Sequence, residues 1–153
     1  MSEKLINPIT LLKRIQAAKR ALPEIMRTTM EGRKKELINL NKENLMQGKD
    51  SEGNDMPSYK DPEYAHFKTS INPNNRGFWD LRVTGQYQSF VDVIIHPAVI
   101  FFKNDLQNEK AEWLHSKLGK RHLGVTEEQG YQFQLDNKPE IRKKLLDIIN
   151  NGV

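Results

Sequence analysis

The sequence predicts an α+β domain: a small antiparallel β-sheet flanked by a long N-terminal helical segment, a middle helix and a C-terminal helix. Three observations lead there. Residues 90–95 and 98–103 are β-branched and aromatic runs separated by His96-Pro97, the spacing of a short hairpin. In residues 1–47 Ile9, Leu12, Ile15 and Leu22, and then Ile25, Met26, Met30, Leu37, Leu40 and Leu45, recur near helical spacing. Near the other end Ile141, Leu145, Ile148 and Ile149 stand at i, i+4, i+7 and i+8, one face of a helix.

Taken in order, Asn7-Pro8 starts the first helix, Asn as cap and Pro at the first helical position. Ile9, Leu12, Ile15 and Leu22 follow near helical spacing, and Pro23 is expected to end or kink the run. A second run over about 24–47 carries Ile25, Met26, Met30, Leu37, Leu40 and Leu45, with Gly32 weakening its middle and Gly48 as C-cap. So narrow a stripe suits a helix completed by a neighbouring subunit. Residues 1–47 therefore read as a helical arm and 48–78 as a long polar loop, with turns at Glu52-Gly53-Asn54, Asp61-Pro62 and Asn72-Pro73-Asn74-Asn75. Loops beyond about 12–15 residues are uncommon in compact domains unless they are functional. This one is expected to be mobile in the free subunit and to order on assembly, pinned by Tyr59, Tyr64 and Phe67. The α+β core is placed at 79–153: a strand at 79–83, a turn or single helical turn at 84–88, the hairpin, and a helix capped by Asn104 or Asp105 and ended by Gly119. A loop with a short strand at 131–135 follows, then a helix beginning at Asn137-Lys138-Pro139.

Length and composition bound the function. The chain of 153 residues fits a single domain with a modest core, and 37% apolar against 29% charged residues makes it polar for its size. It has no cysteine, which removes disulfides and thiolate metal sites. No apolar run approaches the ~20 residues that span a membrane, and Met1-Ser2-Glu3-Lys4 opens without a signal-peptide core, so a soluble chain made in a cytoplasm is expected. Net charge is +4, with eleven Lys/Arg against five Asp/Glu in residues 1–49. That basic end suits head-to-tail stacking of subunits or a face toward nucleic acid. Lys19, Arg20, Arg27, Arg33, Lys34 and Lys35 are the candidate contacts to nucleic acid or an acidic partner. Ile9, Leu12, Ile15, Ile25, Met26, Met30, Tyr59, Tyr64 and Phe67 are the candidate subunit contacts.

No catalytic, cofactor or metal motif stands out. His66, His96, His115 and His122 lack zincin spacing, and Gly119 separates the last two, so they need not share a face. Asp50-x-Glu52-x-Asn54 has its Gly at the wrong position for a calcium loop and reads as a turn. Asp92 and Lys103 in the hairpin form too small a set for a metal-dependent nuclease. No cofactor, metal or enzymatic activity is expected.

One ordered set of segments carries a resemblance. It begins at Gly48-Lys49-Asp50-Ser51-Glu52-Gly53-Asn54-Asp55-Met56-Pro57-Ser58-Tyr59 and continues through Tyr64, Lys68 and Asp80. Leu81-Arg82-Val83-Thr84-Gly85-Gln86-Tyr87-Gln88-Ser89 follows, and later Leu118-Gly119-Lys120-Arg121-His122-Leu123-Gly124. This layout, over roughly residues 37–125, resembles the tail-completion and head–tail joining (neck) proteins of tailed bacteriophages, of the phage Mu tail-completion type. The resemblance implies an α+β structural protein of the virion, without enzymatic activity. It implies a homo-oligomeric ring in the neck, contacting portal or connector and tail-tube proteins around a channel that conducts DNA without reading bases. Two other classes are open to the residues themselves: a small basic nucleic-acid-binding module and, third, a small hydrolase or nuclease.

Overall fold

The computed structural model of the protein describes residues 5–152. Met1 to Lys4, read above as lacking a signal-peptide core, lie outside that range, as does Val153. The fold is α+β: six helices and a two-stranded antiparallel sheet.

Helix α1 (Pro8–Glu31) starts as the sequence indicates, with Asn7 Oδ1 accepting from the Ile9 amide at 2.8 Å. Pro23 does not end it. Pro23 and Lys19, whose carbonyl loses its usual donor, are both exposed, so water can serve that carbonyl. The break falls instead at Gly32–Arg33, before α2 (Lys34–Met46), so the single run expected over 24–47 is two helices. Gly48 closes α2 in a left-handed conformation (φ 68°): its amide donates to Leu45 O at 2.9 Å and that of Lys49 to Asn44 O at 2.8 Å.

The segment expected to be a bare, mobile loop contains a helix and is anchored. Asp61-Pro62 is a helix start, not a turn: Asp61 Oδ1 accepts from Glu63 N at 2.9 Å and α3 runs Pro62–Ile71. Residues 79–83 do not form a strand. Ser58 and Phe78 make a lone bridge and Trp79 N donates to Pro57 O at 2.8 Å. Then Leu81 takes φ 57° and breaks the extended run. That conformation costs a non-glycine residue roughly 1–2 kcal/mol, and the hydrogen bonds around Asp80 described below hold it. A single helical turn, α4 (Gln86–Ser89), leads into β1 (Val91–Ile95) and β2 (Ile100–Asn104). They pair with Ile94 opposite Phe101 and Asp92 opposite Lys103.

Helix α5 (Glu109–Leu118) is capped by Asn108, not Asn104 or Asp105, and Gly119 ends it as expected. Helix α6 (Glu127–Asn151) replaces both the strand expected at 131–135 and the helix start expected at Asn137-Lys138-Pro139. Its start is a capping box: Thr126 Oγ1 accepts from Gln129 N at 3.2 Å while Gln129 Oε1 accepts from Thr126 N at 3.0 Å. Pro139 sits inside α6 on an exposed position, as Pro23 does in α1.

Two apolar clusters hold the elements. Leu45, Met56, Leu81, Tyr87, Ala111, Leu114 and Leu118 form one; Met30, Leu37, Val93, Ile95 and Phe133 form the other. Helix α2 enters both, through Leu37 and Leu45. The N-terminal arm is therefore not separate from the core: α1 packs antiparallel along α6 and buries Ala18 and Met30. Arg33 lies 3.9 Å from Asp136, and Lys144 Nζ donates to Thr29 Oγ1 at 3.0 Å. Arg14 donates to Asn150 O at 2.7 Å. Because Arg14 meets the last carbonyls of α6, the turns of α1 before it extend past the end of α6. Ile141, Leu145, Ile148 and Ile149 are half-buried, so the C-terminal stripe faces the protein without being sealed in it.

A Cβ on Gly48 would stand 2.7 Å from Phe78 Cβ, whereas one on Gly85 (φ 84°) meets open space. Gly85→Ala should therefore cost only the backbone penalty, about 1–2 kcal/mol, and Gly48→Ala distinctly more, read as urea midpoints. Equal losses would show that the approach of Phe78 to Gly48 is not tight.

Candidate assembly surfaces and the polar hub behind them

Asp80 is fully buried and its carboxylate is saturated. Lys68 Nζ, itself 1% exposed, meets Oδ1 at 2.6 Å and Arg82 N donates to the same oxygen at 3.0 Å. Asn72 Nδ2 and Asn75 Nδ2 donate to Oδ2 at 3.1 and 2.9 Å. Four donors match the lone-pair sites of an ionised carboxylate. Burial pushes the Asp80 carboxyl up, but the Lys68 ammonium, the two amides and the Arg82 amide outweigh it and hold it below the usual carboxylate range. Tyr59 Oη stands 3.4 Å from Asp80 Oδ1, and burial with the nearby carboxylate pushes its phenol up. The same asparagines reach Met46 O at 2.7 Å and Phe78 O at 3.0 Å, and Gln88 Nε2 holds Asp80 O at 2.7 Å. Helix α3 and the 72–82 segment meet at the Asp80 carboxylate, while the end of α2 is tied in through Asn72 and α4 through the Asp80 carbonyl.

The acidic glycine turn is also structural. Asp50 Oδ1 accepts from the amides of Glu52 and Asn54, both at 2.9 Å, and Arg121 Nε holds Oδ2 at 2.9 Å. Arg121 Nη2 also reaches Asp55 O at 2.6 Å. The carboxylate that would lead a calcium loop is occupied.

His115 and His122, which Gly119 was expected to set apart, converge on Tyr87. Its hydroxyl lies 2.9 Å from His115 Nε2 and 2.5 Å from His122 Nε2. One hydroxyl proton can serve only one imidazole. His122 Nδ1 is buried without a partner, and an unpaired acceptor there costs less than an unpaired donor. Hydrogen-bond accounting therefore assigns His122 Nε2–H as donor to Tyr87 and the Tyr87 proton to His115. Burial, with His115 close by, pushes His122 down to about 4. Among the described residues no group of three His, Cys, Asp or Glu is placed to hold a metal ion, and no helix is long and apolar enough to cross a membrane.

The candidate subunit contacts divide. Ile9 and Leu12 are exposed, Ile9 at 66%, on the overhanging start of α1 with Leu5 and Ile6, and Ile15 is exposed just after Arg14. Ile25 and Met26 are half-buried, and Met30 is a core residue rather than a surface one. Tyr64 and Phe67 are exposed and Tyr59 half-buried. Sequence reasoning missed further exposed apolar residues: Ile94, Val99 and Phe101 on the outer side of the hairpin, and Trp113 and Tyr131. Tyr59, Tyr64, Trp79, Leu81, Val83, Trp113 and Leu114 line a cleft of about 260 Å³, with Lys68, Arg82 and Lys110 as its cations.

The basic residues also divide. Arg27 is held by Glu24 at 2.6 Å, Arg33 by Glu36 at 2.8 Å and Lys34 by Asp92 at 3.1 Å. Lys19, Arg20 and Lys35 make no ion pair among the described residues. The sequence reading overlooked Lys138, Arg142 and Lys143, which line an open groove on α6 with Leu135, Pro139 and Leu146. Residues 5–22 and 138–152, the distal half of the α1–α6 pair, carry eight Lys/Arg against two Asp/Glu.

Compared with known proteins, the chain matches no family model, no curated protein and no solved structure.

Two outcomes follow. Asp80→Asn leaves a buried ammonium without its counter-charge and should cost about 3–5 kcal/mol in urea unfolding. Lys68→Met should cost less, because three donors remain on the carboxylate; the reverse order would contradict the hub. For His122 the unfolded chain binds the extra proton first, since its pKa near 6.5 lies above the folded value of about 4. Stability should be full above pH ~6.5 and fall by about 3 kcal/mol as pH drops to ~4. His122→Gln should flatten that slope, and an unchanged slope would assign the acid sensitivity elsewhere.

Proposed function

We propose that this chain is a structural subunit of the neck of a tailed-phage virion, completing the tail or connector so that head and tail join. In this reading it forms a homo-oligomeric ring around the DNA channel and meets portal and tail-tube proteins. One observation carries it: the fold is firmly anchored yet leaves its apolar surface uncovered. Among the described residues seventeen large apolar side chains are exposed against fourteen buried apolar ones. Most of them lie at the α1 start, the outer hairpin face and the aromatic cleft, with Tyr131, Leu135 and Leu146 on α6. Contiguous apolar patches on an ordered chain mark contact surfaces. The order of motifs read from the sequence supports the same role.

The overhang gives the test. Removing residues 1–12 takes away its exposed apolar start and keeps Arg14, which holds the end of α6. The truncated protein should keep its circular dichroism spectrum and melt within a few degrees of the full chain. It should fail to restore infectious particles to a phage lacking this protein. Restored particles would remove the main physical support for the neck reading.

The basic tip favours a second reading, a nucleic-acid-binding module. Retention on duplex DNA that falls steeply with salt and ignores sequence would support it. Charge reversal at Lys138, Arg142 and Lys143 should then abolish retention.

A further inference from the structure

We propose that the aromatic cleft receives the first turns of α6 of a second copy of this chain, with Tyr131 as the inserted side chain. The inference rests on the ring reading above and names the contact that would build the ring.

The cleft has the composition of an interface anchor site. Tyr59 and Tyr64 meet edge to face at 5.2 Å, and Trp79 and Trp113 pack at 5.3 Å, so two aromatic pairs form its walls. Trp113 is nevertheless 49% exposed and Tyr64 40%. Tyr, Trp and Arg are the residues that dominate binding energy at interfaces. At about 260 Å³ the cleft lies below the ~300–1,000 Å³ of small-molecule sites and fits an inserted side chain instead. No carboxylate lines it. Lys68 is already paired with Asp80, which leaves Arg82 and Lys110 at the rim with no ion pair among the described residues. The occupant must therefore present a large apolar group beside negative charge.

The start of α6 does so. Tyr131 is 62% exposed, the most exposed aromatic among the described residues. It stands at i+4 from Glu127 and i+3 from Glu128, so all three share one side of the helix. Both glutamates are exposed and make no ion pair among the described residues. Gly130 adds no side chain beside Tyr131. The α1 overhang, the other large apolar projection, is a poorer fit: residues 5–22 carry four cations and no carboxylate and would meet Arg82 and Lys110 with like charge. Cleft and projection are different patches of one chain, so the contact is heterologous and propagates from subunit to subunit, closing into a ring if the rotation allows.

Sedimentation velocity on the full-length protein, up to millimolar concentration, tests this. The wild type should self-associate. Glu127→Lys/Glu128→Lys and Arg82→Glu/Lys110→Glu should each weaken association by about tenfold or more. An equimolar mixture of the two should recover it, because the reversed projection fits the reversed cleft. All four positions are exposed, and circular dichroism should show both variants folded. Since the chain has no cysteine, Arg82→Cys and Glu128→Cys proteins, which keep Tyr131 and the aromatic walls, should form a disulfide dimer more readily when mixed under oxidation than either does alone. A wild type that stays monomeric would overturn the proposal, with complementation by the truncated chain still deciding the neck reading. Association that survives both charge reversals would place the subunit contact elsewhere and overturn it too. Unchanged self-association with loss of binding to tail-tube protein would assign the cleft to a foreign partner, again against the proposal.

Discussion

One buried carboxylate organises the half of the molecule that carries the motifs. Asp80 has no access to water, and an ionised carboxylate there is tolerable only with its lone pairs filled. The chain fills them from three places: Lys68 on α3, Asn72 and Asn75 in the following turn, and the backbone amide of Arg82. Each donor fixes a separate stretch of a segment that has few apolar residues to hold it. A polar segment cannot be packed into place by hydrophobic burial alone, so hydrogen bonds to one charge do the positioning. The left-handed backbone of Leu81 follows from the same constraint, since it lets Leu81 join the apolar cluster while its neighbours on either side serve the hub and the cleft rim.

That arrangement bears on function through what it leaves outside. With Lys68 and Asp80 turned inward, Tyr59, Tyr64, Trp79 and Arg82 wall a cleft that is formed in the single subunit. A preformed cleft binds without the ordering cost that a mobile loop would bring. The other exposed apolar surfaces have a different origin. The α1 overhang exists because α1 begins well before the point where α6 ends, and the outer hairpin face exists because a two-stranded sheet covered on one side has nothing over the other. On the proposed reading these are the faces that neighbouring subunits cover.

The sequence disclosed those elements whose signals are local. The hairpin, the Asn7-Pro8 start, Gly48 and Gly119 all stand as read, because β-branched runs, caps and left-handed glycines act within a few residues. It misled where proline marked a helix boundary: Pro23 as an end or kink, Pro139 as a start. Pro23 and Pro139 both lie on exposed positions of long helices, where water can serve the freed carbonyl, and only the α1–α6 pairing reveals which side is outward. Residues 131–135 alternate like a strand, yet Thr126 and Gln129 form a capping box that was present in the sequence and went unread. Asp61-Pro62 repeats the Asn7-Pro8 helix-start signal, and α3 begins where a turn is expected. The hub itself could not be read: Lys68, Asn72, Asn75 and Asp80 look like ordinary loop polarity until α3 brings them to one point. The His115–Tyr87–His122 contact is hidden for the same reason, as is the pairing of Arg27, Arg33 and Lys34 with carboxylates that removes half of the expected basic face.

The central claim is that the motif-bearing segment is built in the isolated subunit around Asp80, not upon assembly. Amide hydrogen exchange on the free protein tests it directly. Met56 N, Trp79 N and Arg82 N are bonded to Gly48 O, Pro57 O and the Asp80 carboxylate. They should exchange as slowly as the paired amides of β1 and β2, while the first turn of α1 exchanges fast. If those three amides exchange as fast as the first turn of α1 while β1 and β2 stay protected, the segment is not formed in the subunit, and both the hub and the preformed cleft are contradicted.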